Sequence, residues 1–367
     1  MKLGGDEDFA SFDDLPDEDF SLDQEEEEGI TSGELYEHYR LIVDKGQAPL
    51  RIDKFLADKM EHASRNRISL AADAGAIFVG EAPVKSNYKV KPGDIITLRL
   101  ARPPHEHGIV AENIPIEVVY EDDDLMVVNK PAGMVVHPGN GNFTGTLVNA
   151  LAYYWRDLKD YDPNDPNVGL VHRIDKDTSG LLLVAKKPEA KTYLARQFFD
   201  KTTERTYYAL VWGRPEPTEG TIEGNIGRDP KERTRMAVFP PGSAEGKAAI
   251  THYRTIESLS FVTLVACRLE TGRTHQIRAH FKHINHPLLC DERYGGDKIL
   301  RGRPTSSYLQ FAHNAMQLCP RQALHAATLG FTHPTTHEWM QFDCPIPTDM
   351  ASMIDAWRNY TQLTLKI

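Results

Sequence analysis

Five consecutive apolar residues at 181–185, LLLVA, directly follow a segment crowded with charge, HRIDKD at 172–177. An uninterrupted apolar run is typical of a strand whose two faces are both buried. Gly180 allows the backbone to turn sharply before that strand. The charged residues therefore lie on a loop anchored to a rigid core element, which is where proteins often place reactive groups. The sequence predicts a central strand preceded by a functional loop.

Charge is unevenly distributed along the chain. The formal net charge is -11, but residues 1–30 contain 13 Asp and Glu and the single basic residue Lys2, a net of -12. The remainder carries +1, which is compatible with a polyanionic partner because the position of the charge matters more than its sum. So acidic a segment cannot bury enough apolar surface to offset its ordering entropy. We expect a disordered acidic tail and lead-in over residues 1–47.

Residues 48–102 have the pattern of a small αβ domain. RIDKFLADKM places apolar side chains at helical spacing, and SRNRISLAADAG predicts a second helix that starts at a Ser64 cap and stops at Gly75. AIFVGEAPV and GDIITLRL predict strands. The domain has ten basic and six acidic residues. This stretch resembles an S4 RNA-binding domain, although VGE stands where that family usually has Val-Asn-Gly.

A Pro-rich segment separates this domain from a larger one. We assign residues 103–112 to the linker and 113–367 to the second domain. In the second domain, PEAKTYLARQFFDK predicts a helix with Pro188 at its first position. Residues 351–367 predict a helix and a short strand. Further strands are predicted at 181–185, 207–212, 249–255 and 261–270.

Taken alone, HRIDKD is compatible with three kinds of chemistry. His172, Asp175 and Asp177 could bind a metal, but no second histidine cluster accompanies them. Asp175 and Asp177 could form a glycosidase acid pair, although such carboxylates usually come from separate elements. The third possibility is a single carboxylate that acts at an anomeric carbon. The four cysteines include no C-x-x-C pair, so we expect no metal site.

The whole string GLVHRIDKDTSGLLLVAKK resembles the catalytic signature of the RluA-type pseudouridine synthases, H-R-L-D-x-x-T-S-G, with Ile174 in place of leucine. Other motifs of that family resemble VVNKPAGMVVHPG, TERTYYALVWG, LETGRTHQIRAHFKHINHPLLCDERYGG and RQALHAATLGFTHP. In the third of these, Cys290 replaces the usual glycine before Asp291. The similarity spans residues 48–347. It implies an α+β fold with a mixed, mostly antiparallel sheet in the catalytic domain, together with the small S4-like domain.

The resemblance also implies catalytic residues. Asp175 is the catalytic carboxylate, Arg278 is its partner, and Tyr207 stacks on the target base. Thr274 is a candidate cap for a helix with apolar residues at i, i+4 and i+7, which would place Arg278 in the first turn. The residues expected to contact RNA are His172, Arg173, Lys130, Arg273, Arg65 and Arg67.

The implied reaction sets its own requirements. Pseudouridine formation breaks the N1–C1' bond of a uridine, turns the uracil over and rejoins it through C5. No electrons or external groups are exchanged, so we expect no cofactor, in agreement with the lack of P-loop and dinucleotide fingerprints in the sequence. A carboxylate beside the ribose either attacks C1' or removes the 2' proton. The sequence leaves both routes open.

Partner and location follow from the same resemblance. NIGRDPKERTRMAV and GKAAITHY resemble the subgroup that acts on large-subunit ribosomal RNA, so the expected partner is 23S ribosomal RNA or the large ribosomal subunit. With neither a signal-peptide pattern nor an apolar run of 18 residues, we expect a monomeric cytoplasmic protein without membrane contact. Two alternatives are a non-catalytic S4-type ribosome-binding or assembly factor and a nucleoside hydrolase that uses Asp175 and Asp177 to release uracil.

Overall fold

The computed structural model describes residues 36–60, 65–100, 109–138, 142–158, 169–232 and 234–364. The chain forms two compact units, and the described residues of the second unit begin at Ile109. The acidic tail predicted for residues 1–30 lies outside the described residues, as do Ser64 and the side chain of Arg67. No helix in the described ranges is long and apolar enough to cross a membrane.

The first unit is a four-stranded sheet with two helices. Its strands have the order β1-β4-β2-β3, and every neighbouring pair is antiparallel. Ile52, Phe55 and Leu56 are buried as the helical pattern predicts, and α2 is followed by Gly75 with a φ of 77°. The elements are β1 (Tyr36–Ile42), α1 (Ile52–Lys59), α2 (Arg65–Asp73), β2 (Ile77–Val79), β3 (Ala82–Pro83) and β4 (Ile95–Leu100).

This unit includes a strand in the segment that the sequence assigns to the lead-in. β1 pairs with β4 along its length, from Tyr36 opposite Leu100 to Ile42 opposite Ile95. Because β1 is an edge strand and contributes only partly buried side chains such as Tyr39 to the core, it has a weak apolar pattern. The folded unit therefore begins before residue 48.

The second unit is built on a ten-stranded sheet. The order is β10-β9-β11-β12-β8-β13-β7-β6-β5, and β14 pairs with β13. Among the pairs within the described ranges, only β13 and β7 run parallel, which confirms the expected mixed, mostly antiparallel α+β fold. The strands are β5 (Glu117–Glu121), β6 (Leu125–Lys130), β7 (Ser179–Ala185), β8 (Glu204–Trp212), β9 (Glu219–Arg228), β10 (Met236–Phe239), β11 (Lys247–Leu259), β12 (Val262–Leu269), β13 (Leu324–Thr332) and β14 (Trp339–Asp343).

Strand β7 is the buried central strand that the sequence predicts. All seven of its residues are buried. Leu182 and Val184 join a core cluster with helix α3, whereas Leu181 and Leu183 join a second cluster with helix α4. The helices of this unit are α3 (Leu147–Tyr154), α4 (Pro188–Phe199), α5 (Gln276–His283), α6 (Ser306–Gln317) and α7 (Thr348–Thr364).

Gly180 has a stricter role than the predicted turn. It lies inside β7 with a φ of 117°, opposite Ala326 in the parallel pair with β13. A Cβ atom at this position would lie 2.2 Å from the Ala326 carbonyl oxygen. Only glycine allows the two strands to approach so closely. The strand that follows the charged loop is thereby fixed against β13.

The ends of three helices test the sequence predictions. Pro188 occupies the first turn of α4, as predicted. Helix α5 begins at Gln276 with His275 as its N-cap in a left-handed conformation, so the predicted Thr274 cap is wrong. Helix α7 runs from Thr348 to Thr364, and no strand follows it within the described residues. The side-chain pattern there did not distinguish a long helix from a helix that ends early.

Candidate active site

Asp175 lies on the loop directly before β7. The amide of Thr178 donates to the Asp175 carbonyl oxygen at 3.1 Å, closing a turn that directs the chain into the strand. The carboxylate is mostly buried, with 19% of the side chain exposed, and its Oδ2 accepts a hydrogen bond from Nη1 of Arg278 at 3.0 Å. The structure thus brings together the two residues that the sequence pairs.

Arg278 lies in the first turn of α5, where the sequence predicts it. Its guanidinium donates through Nε and Nη2 to the two carboxylate oxygens of Asp291, at 2.8 and 3.0 Å. Asp291 is fully buried. The bidentate partner of Arg278 is therefore Asp291, and Asp175 receives only the remaining Nη1. Asp291 was noted in the sequence only as the residue after Cys290 and was assigned no role, although it is an acid directly after the apolar run PLLC.

The residue before Asp291 has an unusual backbone conformation. Cys290 has a φ of 59°, in the left-handed region that glycine adopts at little cost. Its amide donates to the Gly296 carbonyl oxygen at 3.0 Å, and the Gly296 amide donates to the Asp291 carbonyl oxygen at 2.8 Å. The substitution of cysteine for the usual glycine therefore leaves a tight turn in place that positions Asp291.

The surroundings of Asp175 favour its charged form. Burial raises the pKa of this carboxyl, but electrostatic interactions with His275, Arg278 and Arg173, together with the hydrogen bond from Arg278, outweigh burial and lower the pKa to about 2. The group is consequently ionised at neutral pH. An ionised carboxylate that is largely shielded from water is available as a nucleophile or a base.

Asp175, Arg278 and Tyr207 line one cavity. Tyr207 is on β8 with 6% of the residue exposed, and burial raises the pKa of its hydroxyl. The hydroxyl is therefore protonated at neutral pH. Apolar and basic residues also line this cavity, among them Ile174, Leu269, Ile277, Leu324, Arg173, Arg205 and Arg273.

Arg205 is a buried cation within this lining. It precedes Tyr207 by two positions on β8, and its guanidinium lies 5.1 Å from the ring centroid of Phe198. The sequence assigns Arg205 no role at this cavity. The alternation of β8, in which residues 205 and 207 share a face, was the signal that would have placed it beside the tyrosine.

A further arginine, whose side chain is 9% exposed, holds the loop that carries Asp175. Arg321 donates to both carboxylate oxygens of Asp349, at 2.8 and 3.0 Å, and to the Asp177 carbonyl oxygen at 2.9 Å. Ser179 Oγ forms a hydrogen bond of 3.0 Å with Nδ1 of His325 on the neighbouring strand. These contacts fix the backbone that follows Asp175.

Two of the residues predicted to contact RNA have their polar side-chain atoms engaged or buried within the protein. Lys130 is 1% exposed, and its ammonium group donates to three carbonyl oxygens, those of Pro131, Met134 and Lys176, at 2.8 to 2.9 Å. In His172, Nε2 accepts from the Leu183 amide at 2.9 Å, and Nδ1 is buried. Neither side chain can present a polar atom to RNA. Both fix the backbone around the loop that carries Asp175.

The other predicted RNA contacts have mixed settings. Arg173 is exposed at the cavity, and Arg273 is half-buried there and donates to the Ala248 carbonyl oxygen at 3.2 Å. Arg65 belongs to the first unit, where it forms an ion pair with Asp53. These three arginines retain exposed surface, so RNA contacts by them stay predictions.

A group with ligand types suited to a metal lies outside the cavity lining. Asp122, Asp124 and His333 offer oxygen and nitrogen atoms within 4.8 Å of one another. His333 Nδ1 accepts from the amides of Thr335 and Thr336, so Nε2 carries the proton and donates to Asp122 at 2.9 Å. These hydrogen bonds occupy both ring nitrogens of the histidine. The group is better suited to bracing the turn before β6 than to metal binding.

Comparison with known proteins gives extensive matches. The RNA pseudouridylate synthase family matches residues 124–283, and the S4 domain matches residues 50–96. An uncharacterized RNA pseudouridine synthase of Chlorobaculum parvum is 48% identical over 320 residues, which cover 87% of this chain and 97% of the relative. The ribosomal large subunit pseudouridine synthase D of Nitrosomonas europaea is 43% identical over 319 residues, 87% of this chain and 88% of the relative.

A solved structure shares the fold. Human RNA pseudouridylate synthase domain containing 4 superposes with a TM-score of 0.54 at 22% identity, covering 66% of this chain and 93% of the human one. The sequence matches are far closer and run through the loop of Asp175, the strand of Tyr207 and the helix of Arg278. The chain therefore belongs to the RNA pseudouridine synthase family, the enzymes that isomerise uridines in RNA, and includes an S4 domain.

Proposed function

We propose that this enzyme isomerises specific uridines of 23S ribosomal RNA and that Asp175 is its catalytic residue. The observation that carries the assignment is the ion pair between the carboxylate of Asp175 and Arg278, within a cavity that Tyr207 also lines. Such a carboxylate satisfies the need for a charged group beside the ribose.

The reaction proceeds around this carboxylate. When the N1–C1' bond breaks, its electron pair leaves with the uracil. Asp175 compensates at the sugar, either by attack on C1' or by removal of the 2' proton. The uracil then turns over and C5 bonds to C1'. This step displaces Asp175 from C1' or, on the other route, is accompanied by return of the proton to C2'. The proton lost from C5 is balanced by one gained at N1. Tyr207 provides a ring against which the base can stack and a protonated hydroxyl that can take part in the proton movement.

Arg278 helps to keep Asp175 charged when substrate excludes water. Desolvation alone would raise the pKa of the carboxyl. The guanidinium opposes this effect, and Asp291 holds it in a fixed orientation. Lysine could not make these three contacts at once, because its single ammonium lacks the planar fork.

Arg173 and Arg273 are proposed to contact the RNA around the target. Both line the cavity that contains Asp175. A uridine must leave its stack to reach the carboxylate, at a cost of a few kcal/mol. Cationic groups at the cavity mouth offset part of that cost by binding the neighbouring phosphates.

Support for a ribosomal substrate comes from the relatives. The matched proteins of Nitrosomonas europaea and Vibrio parahaemolyticus, the latter 41% identical over 321 residues, both bear the name ribosomal large subunit pseudouridine synthase D. The S4 domain supports RNA as the partner. We further propose that the enzyme acts as a monomer in the cytoplasm.

Mapping pseudouridine in 23S RNA tests the assignment. Unmodified 23S transcript is incubated with wild-type protein or with Asp175→Asn, and modified positions and RNA binding are measured in parallel. We expect the wild type to modify a few defined uridines and the variant to form no product while it binds RNA normally. Release of free uracil would indicate hydrolysis instead. Parallel loss of binding and product would contradict the role given to Asp175.

A further inference from the structure

In the S4 domain, one buried carboxylate joins two arginines. Asp53 is 1% exposed, and its two oxygens accept from Nε and Nη2 of Arg51, at 3.1 and 2.9 Å. Nε of Arg65 donates to the same carboxylate at 3.2 Å, and the amide of Lys54 adds a fourth hydrogen bond at 2.8 Å. Two segments that are 12 residues apart in sequence are thereby tied together through Asp53.

The two arginines themselves remain accessible. Their side chains are 47% exposed for Arg51 and 56% exposed for Arg65. A guanidinium has five N–H donors, of which Asp53 engages two in Arg51 and one in Arg65. Because both are bound to one carboxylate, the two groups lie side by side with much of their rotational freedom removed. Such preorganisation favours the binding of an anion.

A third cation stands beside this pair. Arg51 forms an antiparallel bridge with Lys89, an arrangement that places the two side chains on the same face. Lys89 is exposed. Like charges opposite each other are destabilising. Three basic groups around one acid have a formal charge of +2, an arrangement that an anion between them would relieve.

We propose that Asp53 positions Arg51 and Arg65 to bind one backbone phosphate of the substrate RNA, with Lys89 beside it. As regards RNA as the ligand, this inference rests on the proposed function. Asp53 is a positioning residue and Arg51, Arg65 and Lys89 are the binding groups. The consequence is unusual, because a negatively charged residue then strengthens the binding of a polyanion.

Substitution of Asp53 distinguishes this site from a general basic surface. Affinity for a labelled 23S fragment is measured by fluorescence anisotropy with the full-length protein. If only net charge mattered, Asp53→Asn would bind more tightly. We expect about tenfold weaker binding, since the arginines lose their anchor. The matched control is Glu37→Gln, which removes the same charge from an exposed pair with Arg40 and should leave affinity unchanged or slightly higher.

Equal or tighter RNA binding by a folded Asp53→Asn protein would overturn the proposal. Because Asp53 is buried, its replacement can also destabilise the domain, so two further variants leave that residue in place. Arg51→Lys and Arg65→Lys keep the charge on exposed positions but remove the fork, and each should weaken binding about threefold to tenfold. Arg40→Lys is their control. Wild-type affinity in both fork variants would equally exclude the site.

Salt dependence tests whether the two arginines share a phosphate. One neutralised phosphate contributes about 0.9 to the slope of log K against log salt for a duplex, and about 0.7 for a single strand. The double variant Arg51→Ala/Arg65→Ala should therefore lower the slope by about one phosphate. A decrease of two would mean separate contacts and would contradict a shared site.

Turnover separates this inference from the proposed function. Because Asp53→Asn weakens RNA binding, it should raise the RNA concentration that gives half-maximal turnover. If the wild type forms no pseudouridine but the Asp53 effect on binding is present, only the proposed function fails. If the wild type is active and Asp53→Asn binds as tightly as it does, only the present inference fails.

Discussion

Asp291 binds Nε and Nη2 of Arg278 through both of its oxygens, at 2.8 and 3.0 Å, in a contact that is buried on both sides. This pair fixes the plane of the guanidinium and leaves Nη1 directed at the carboxylate of Asp175. The electrostatic partner of the proposed nucleophile is therefore itself oriented by a second carboxylate that does not line the cavity.

Asp291→Asn should impair turnover more than RNA binding. An amide can accept only one of the two hydrogen bonds, so Arg278 loses its fixed orientation toward Asp175. We expect kcat to fall about tenfold to 100-fold with little change in KM, measured by tritium release or pseudouridine mapping. The neighbouring exposed Glu292→Gln is the control and should behave as the wild type. A change in KM alone would contradict an orienting role.

Lys130→Met should destabilise the protein. The three carbonyl oxygens that bind the ammonium would be left buried without donors, so we expect a loss of about 2 to 4 kcal/mol in the free energy of unfolding. Lys298→Met, at an exposed position, is the control. Urea denaturation at constant pH measures both. Normal stability of Lys130→Met would show that these hydrogen bonds contribute little.

The lowered pKa of Lys130 should make the free energy of unfolding depend on pH. Burial lowers its pKa in the folded state from 10.5 to about 7. Between these two values the unfolded chain binds more protons than the folded chain, so stability rises with pH across that window. The wild type should therefore gain stability from pH 7 to pH 10 relative to Lys130→Met, as followed by urea denaturation. A constant difference between the two proteins would contradict the lowered pKa.

Features that depend on local sequence pattern or on motif similarity could be predicted from the sequence. The apolar run at 181–185 located the central strand, and the motif similarity paired Asp175 with Arg278. The sequence did not predict contacts between groups that lie far apart along the chain. The buried settings of Lys130 and Asp291 are created by carbonyl oxygens and a guanidinium from other segments, and no periodicity reports such contacts.

The prediction that Thr274 caps α5 was wrong for a related reason. Thr274 is a common capping residue, but here the chain enters the helix through the left-handed His275. The ring of that histidine forms a hydrogen bond of 3.1 Å with the hydroxyl of Tyr294. This tertiary contact, rather than local preference, determines where the helix begins.

Deletion of residues 1–30 should raise RNA affinity. The segment has a net charge of -12, which repels the RNA backbone. Because salt screens this repulsion, we expect a several-fold gain at low ionic strength that disappears at high ionic strength, with turnover unchanged. Anisotropy titrations at several salt concentrations measure it. Equal affinity at low salt would mean that the tail lies too far from the bound RNA to act on it.

Gly180→Ala should be severely destabilising, and its cause can be separated from glycine's general flexibility. A Cβ at this position would lie 2.2 Å from the Ala326 carbonyl oxygen, so β7 and β13 would have to separate directly beside the loop that carries Asp175. Gly242 also has a positive φ, 78°, but nothing lies within 4 Å of its Cβ position. Gly242→Ala should therefore cost only about 1 kcal/mol, as expected from backbone strain. Gly180→Ala should cost more than 3 kcal/mol or prevent folding, since backbone cannot move aside as a flexible side chain can. Thermal and urea denaturation compare the two proteins, and equal losses would show that the strand pair can adjust to the added methyl group.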